Sequence, residues 1–469
     1  MPTNGEPRRA ITLGGGGPAA GLHIGVLDAL ANANPPITFD VWSLSCIGAW
    51  VGVVYNQSDK RTAAEKVEDT YRFFRDGVFR DDEGYERFPI NTVFGPDWRS
   101  TIDAFYEFVA DPKSYKDFQL QPYKMFDYVQ QSMSILNDFM PRGMRRAKKL
   151  DEGDLNRWIL NQVMAPNPAI RYLTSLMYLS KFNGLSRINY PDSEFMRKIR
   201  FDRLSEDGKP FIFHNAWNLD TQKLAFFANH RIERPKNGEY KGPITAQSLC
   251  ACSALPFVEE TVEIDGTTYC EGALVDTVNF EGLLELEVRG QKIDEVWISR
   301  IVDSQQIRKP ENLHDALANL CQLFAASVGE DDVKLFKYHV KYDRRNGDAS
   351  KAKNSTKNSK AAKAEAQKSK AAQAEDSNGH RANGDNSVWN GTVVEIHVPG
   401  HINFKWNHSN LDNGRRLGRD SAKQAIKTYH EKKNTSHPGE PLFINENPAQ
   451  DPEWQQIRQR YHELKKALA

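Results

Sequence analysis

A short apolar strand that runs into four glycines and then a helix constrains this chain more than any other feature. Residues 11–30 read ITLGGGGPAAGLHIGVLDAL. The same rhythm repeats at once: DVWSLS predicts a second strand and CIGAWVGVVYN the helix after it. Strand–turn–helix units in succession favour a parallel sheet with helices packed on it. A glycine turn between such elements can hold a dinucleotide or the oxyanion of an acyl-transfer reaction. The dinucleotide fingerprint needs an acid at the end of the second strand to bind the ribose. Here Asp40 stands at the start of that strand, and the end reads SLSCIGAW. The oxyanion reading needs backbone N–H groups freed by the glycine turn, and a nucleophile on a sharp strand-to-helix bend close by. LSCIGA occupies that place.

Strand-like segments return with PFIFHNAWNL, KLAFFAN, VEIDGTTYCEG, DEVWISRIV and TVVEIHVP. Asp265-Gly266 between two short strands signals a tight hairpin. LDNGRRLGRDSAKQAIKTYHEKK predicts a helix that begins with a break, and DPEWQQIRQRYHELKKALA a short amphipathic one. Residues 346–387 carry almost no large apolar side chain, so they are expected to form a flexible low-complexity loop. Residues 58–204 show helical spacing and many aromatics, which predicts a helical insertion. Within it, 123–149 joins an apolar, methionine-rich stripe to a basic cluster. That pattern favours a core-facing helix with a solvated basic end; the alternative is a lid or docking surface for a lipid-like substrate, or a partner surface.

Three blocks resemble the patatin-like acyl hydrolase family in their order along the chain: GGGGPAAGLHIGVL, LSCIGAW and SALPFVEETVEIDGTTYCEGALVD. The resemblance implies a three-layer α/β fold with a mostly parallel central sheet and a large helical insertion. The core would comprise 8–57, 205–345 and 388–435, with 436–469 a C-terminal extension. It also implies an acyl hydrolase or acyltransferase acting on a lipid-like ester or thioester, with no metal and no organic cofactor.

The residues depart from the family pattern at its two reactive positions. Cys46 stands where the family has its nucleophilic serine, and Glu271 where it has its acid. Leu44 replaces the first glycine of the nucleophile motif, and Ser45, one place early, is the alternative nucleophile. Gly48 supports the bend. Gly15, Gly16, Gly17 and Ile47 would supply the oxyanion donors, while Pro18 has no N–H to give. Cysteine for serine is chemically coherent, because a thiol ionises far more readily than a hydroxyl. A helix N-terminus favours the thiolate, and the carboxylate of Glu271 opposes it. His23, on the first helix, reads as a packing histidine, and Cys250 and Cys252 as structural. The rival reading is a catalytically inactive relative that binds acyl chains or protein partners.

Composition narrows the setting. Lysine plus arginine equals aspartate plus glutamate at 62 each, so no overall field draws in nucleic acid. Five cysteines in 469 residues do not make a disulfide framework. MPTNGEPRRA lacks the apolar centre of a signal peptide, and no apolar run is long enough to span a bilayer. The expectation is a cytoplasmic protein, with 123–149 the stretch through which it could touch a membrane or lipid surface peripherally.

Overall fold

The computed structural model describes residues 7–87, 94–96, 98–110, 184–188, 193–232, 238–280, 283, 293–300, 307–311, 313–356, 391–398, 400, 402–433 and 442–444. They divide into two compact units, one of Met1–Gly95, Ile188–Pro256 and Thr261–Ala469, the other of Pro96–Arg187 and Phe257–Glu260.

The first unit is built on a mixed, mostly parallel sheet. Its strands are β1 (Arg9–Leu13), β2 (Val41–Leu44), β3 (Phe211–Asn218), β4 (Lys223–Ala228), β5 (Gly238–Gly242), β6 (Val262–Ile264), β7 (Thr267–Glu271), β8 (Glu295–Ser299), β9 (Thr392–Ile396) and β10 (Leu442–Ile444). Among the described residues the order is β10-β9-β8-β1-β2-β3-β7-β6, with β4 and β5 branching from β3. From β10 to β3 every pairing is parallel; β3–β7, β3–β4 and β6–β7 are antiparallel.

Side-chain alternation divides the sheet's two faces. Ile11, Leu13, Trp42, Leu44, Trp297, Val394 and Ile396 join one core cluster; Ala10, Val41, Val296, Ile298 and Val393 join the other. Strands covered on both faces are apolar on both, and in RAITL and VWSL the buried exceptions are the small Thr12 and Ser43. The first face carries α1 (Ala20–Ala31), α2 (Ile47–Gln57), α3 (Ala63–Gly77) and α6 (His408–Lys433). The second carries α5 (Leu313–Thr356) through Val333 and Phe336. A short helix, α4 (Ala246–Cys252), follows β5. The architecture is the expected three-layer α/β fold.

Every residue of α1 is buried, because α6 lies on it backbone to backbone. A Cβ at Gly25 would stand 2.0 Å from the Arg415 carbonyl oxygen, and one at Gly418 2.0 Å from that of Leu22. The glycines in LDNGRRLG, read as a helix break, serve this close approach instead, and α6 is continuous from His408 to Lys433. Asp265 and Gly266 have φ of 50° and 74° and join β6 to β7, the two left-handed residues that a type I′ hairpin requires.

Three expectations change. The flanks of the 58–204 insertion belong to the core unit: α3 buries Val67, Thr70 and Phe74, and Phe195 stacks on Trp50 at 5.0 Å. Helix α5 continues to Thr356, through the start of the segment read as a loop at 346; alanine and lysine sustain a helix that is already nucleated. Leu442–Ile444, assigned to a C-terminal extension, adds the edge strand β10 beside β9. In the second unit, helix Trp98–Ala110 exposes Ile102, Phe105, Tyr106 and Val109, and Gly184–Ile188 pairs in parallel with Phe257–Glu259. Residues 123–149, the rest of the low-complexity segment and the expected helix near the C-terminus lie outside the described residues. No described helix is long and apolar enough to cross a membrane.

Candidate active site

The site lies at the carboxyl ends of β1 and β2, beside the place between β1 and β8 where the sheet changes its winding direction. β1 ends at Leu13 and the glycine loop follows. Gly14 N–H donates to the Ser299 carbonyl at 3.4 Å, and Gly15 N–H to the Thr277 carbonyl at 3.3 Å. His23 fixes the loop from behind. Its Nε2 donates to the Gly14 carbonyl at 2.9 Å, and its Nδ1 therefore accepts the Ser299 hydroxyl at 2.8 Å. Burial lowers the His23 pKa to about 4, so the ring is neutral and structural. Gly17 has φ of 58°, and a Cβ there would stand 2.6 Å from the Phe404 ring.

β2 ends at Leu44, and the chain turns sharply at Cys46 into α2. Cys46 has φ of 47° and ψ of −124°, a strained conformation for a side chain with a Cβ, and one that lifts its sulfur to the tip of the bend. Gly48 makes the bend possible: a Cβ at that position would stand 2.1 Å from the Leu13 carbonyl oxygen. Two contacts from α4 and its cap hold the bend. The backbone N–H of Cys46 donates to the Cys252 sulfur at 3.0 Å, and Trp50 Nε1 donates to the Ser253 hydroxyl at 2.5 Å.

Glu271 is the last residue of β7, opposite Ala216 of β3, and its N–H donates to the Ala254 carbonyl at 2.9 Å. Asn215 ties this turn to the elbow. Its Oδ1 accepts the Ser45 hydroxyl at 2.9 Å, and its Nδ2 donates to the Asp276 carbonyl at 2.8 Å. Asn279, at φ 59°, adds a second clamp, donating through Nδ2 to the Leu44 carbonyl at 3.0 Å.

These elements bring Cys46 and Glu271 together. The Cys46 thiol and the Glu271 carboxylate are close enough to shift each other's titration. Gly15 lies between them: a Cβ there would stand 2.9 Å from Ala273 Cβ, 3.1 Å from Cys46 Cβ and 3.7 Å from Glu271 Oε1. Cys46 is 9% exposed and Glu271 6%. Burial pushes the Glu271 carboxyl up to about 7. Burial, then the charge of Glu271, pushes the Cys46 thiol well above its ordinary range, and the Ile47 N–H works the other way. Cys46 is therefore a thiol at neutral pH. The helix N-terminus does not make it a thiolate, because desolvation and a neighbouring carboxylate outweigh the aligned amides. An attack by this sulfur needs a base, and a carboxylate of pKa about 7 is matched to that task at neutral pH.

The other expected residues divide. Gly15 N–H is taken by Thr277, so Gly15 serves close packing rather than as a free oxyanion donor. Among the described residues no acceptor takes the N–H of Gly16 or Gly17. Ser45 is fully buried and bonded to Asn215. Among the described residues no group of histidine, cysteine and acidic side chains could hold a metal ion. Sequence reasoning missed Cys252, Asn215 and Asn279 as supports. Their signal is spatial, since Cys252 meets Cys46 across 206 positions of chain.

The sequence also bears comparison with known proteins. A family model described as patatin-like phospholipase matches residues 11–284, more than half of the chain. No curated protein sequence matches. Among solved structures, VipD from Legionella pneumophila aligns over 90% of this chain and 67% of that one, at 13% identity and a TM-score of 0.33, a likeness too loose to assign any residue.

Proposed function

The chain belongs to the patatin-like phospholipase family, and on that premise we propose that it cleaves or transfers the acyl group of a lipid-like ester or thioester, with Cys46 as nucleophile and Glu271 as general base. Membership itself implies lipid acyl hydrolase activity. The finer reading is supported by the approach of Cys46 and Glu271 to the same side of Gly15, at a strained strand-to-helix bend.

In the first half-reaction Glu271 takes the thiol proton as sulfur bonds to the substrate carbonyl carbon. The carbonyl π electrons move to oxygen, where the N–H groups of Gly16, Gly17 and Ile47 receive the charge. Donors of this kind are each worth about 3 kcal/mol in the transition state. Collapse expels the alcohol or thiol, which takes the proton from Glu271, and leaves an acyl-thioester on Cys46. In the second half-reaction Glu271 takes a proton from water, or from an acceptor alcohol, as its oxygen attacks the thioester. The sulfur then leaves and regains that proton. A reducing compartment such as the cytoplasm suits a nucleophile that must remain a thiol.

A second reading has its own support: Cys46 is nearly covered and Gly15 N–H is already bonded. On that reading the protein binds acyl chains or partners without turnover. Kinetic assay of the purified protein on acyl thioesters and phospholipids separates the two. Turnover lost in Cys46→Ala and reduced in Glu271→Gln favours the enzyme, and stoichiometric acyl binding without turnover favours the binder.

A further inference from the structure

We propose that Asp332, on α5, is a positioning residue for this site: together with Asp276 it holds the Glu271 turn and the glycine loop in one register. The proposal rests on the reading of Cys46 and Glu271 given above. Asp332 Oδ2 accepts the N–H of Thr277 at 2.9 Å and that of Val278 at 3.4 Å. The carbonyl of the same Thr277 accepts the Gly15 N–H at 3.3 Å. Thr277 is thus gripped by α5 on its N–H side and grips the glycine loop on its carbonyl side. Gly15 in turn is the residue packed against both Cys46 and Glu271. Helix and loop touch directly, since a Cβ at Gly329, one turn before Asp332, would stand 3.6 Å from Thr277 Cγ2.

Asp276 secures the other end of the turn. Its Oδ1 accepts the Phe280 N–H at 3.1 Å, and its carbonyl accepts Asn215, which also holds Ser45. The two carboxyl groups interact, and like charges that close keep one proton between them. Burial, then the charge of Asp276, raises Asp332 to about 8. The other charged groups nearby are Glu330, Asp331, Lys334 and Lys337 on α5, Glu271 one turn back along the loop, and Arg300 at the end of β8, which lies 3.6 Å from Glu330. Loss of the shared proton sets two carboxylates against each other and loosens the grip on Thr277.

The test is the pH profile of kcat and KM on an acyl thioester for wild type, Asp332→Asn and Asp332→Ala, with melting temperature followed over the same pH range. An asparagine can accept Thr277 N–H and donate to Asp276 without titrating. We expect Asp332→Asn to keep kcat within about threefold of wild type at pH 7 and to lose the fall above about pH 8. Asp332→Ala should lose kcat by ten- to a hundredfold, on the order of what small misplacements cost, with KM little changed. In wild type the melting temperature should also fall more between pH 4 and 8 than in Asp332→Asn, because the folded protein keeps a proton that the unfolded chain releases. The same alkaline limb and melting slope in wild type and Asp332→Asn overturns the proposal, as does equal loss of kcat in both variants. A wild type that does not turn over defeats the Cys46 reading alone; the two melting slopes then decide on Asp332, and equal slopes reject it.

Discussion

The backbone N–H of Cys46 donates to the sulfur of Cys252 at 3.0 Å, so one cysteine holds another at the tip of the elbow. Cys252→Ala leaves that N–H buried without an acceptor. The expected cost is about 1–3 kcal/mol of stability. Acylation of Cys46 should slow as well, because φ at Cys46 is no longer held. Cys252→Ser keeps an acceptor and should recover most of both losses. Denaturant unfolding and single-turnover acylation check this.

Activity should rise through about pH 7. Glu271 must be ionised to take the thiol proton, and burial holds its carboxyl near that value. The sign for stability is opposite. The folded pKa lies above the ordinary 4.5, so the contribution is full below about pH 4.5 and is lost as pH rises through about 7. The whole step is on the order of 3 kcal/mol. Glu271→Gln should remove the acid limb of the rate profile and flatten stability between these pH values. A rate that is flat from pH 5 to 8 in the wild type contradicts this.

Gly15→Ala and Gly418→Ala should fail in different ways. At Gly15 the new methyl meets Ala273 and Cys46 side chains, at 2.9 and 3.1 Å, and pushes apart the reacting groups. The expected result is loss of kcat on the order of a hundredfold with a modest fall in melting temperature. At Gly418 the methyl meets the Leu22 carbonyl at 2.0 Å, where α6 and α1 cross. That change should destabilise by about 1–3 kcal/mol or more. Comparing kcat with melting temperature for both variants separates the two roles.

Much of this was legible in the sequence, for local reasons. Runs such as RAITL and VWSL must be strands covered on both faces, and Asp265-Gly266 carries its own backbone preference. The pairing of Cys46 with Glu271 was implied by the resemblance to the patatin-like family. What was not legible depends on distant partners. PLFINE is too short to announce β10, which exists because β9 offers it an edge. Gly414 and Gly418 look like helix breakers until α1 lies against them. Gly15 looks like a free donor until Thr277 arrives from far along the chain. Nothing in one dimension says how deeply the Cys46 thiol is buried, and burial more than the neighbouring carboxylate keeps it protonated.

The central claim is that Cys46 forms a covalent acyl intermediate with help from Glu271. Mass spectrometry of the protein treated with a thiol-directed acyl probe tests it directly. The account predicts one acyl adduct, carried by the peptide containing Cys46, absent in Cys46→Ala and formed at least tenfold more slowly in Glu271→Gln, the lower end of what a general base contributes. An adduct on another residue, or labelling of Cys46 at the same rate with and without the Glu271 carboxylate, would contradict it.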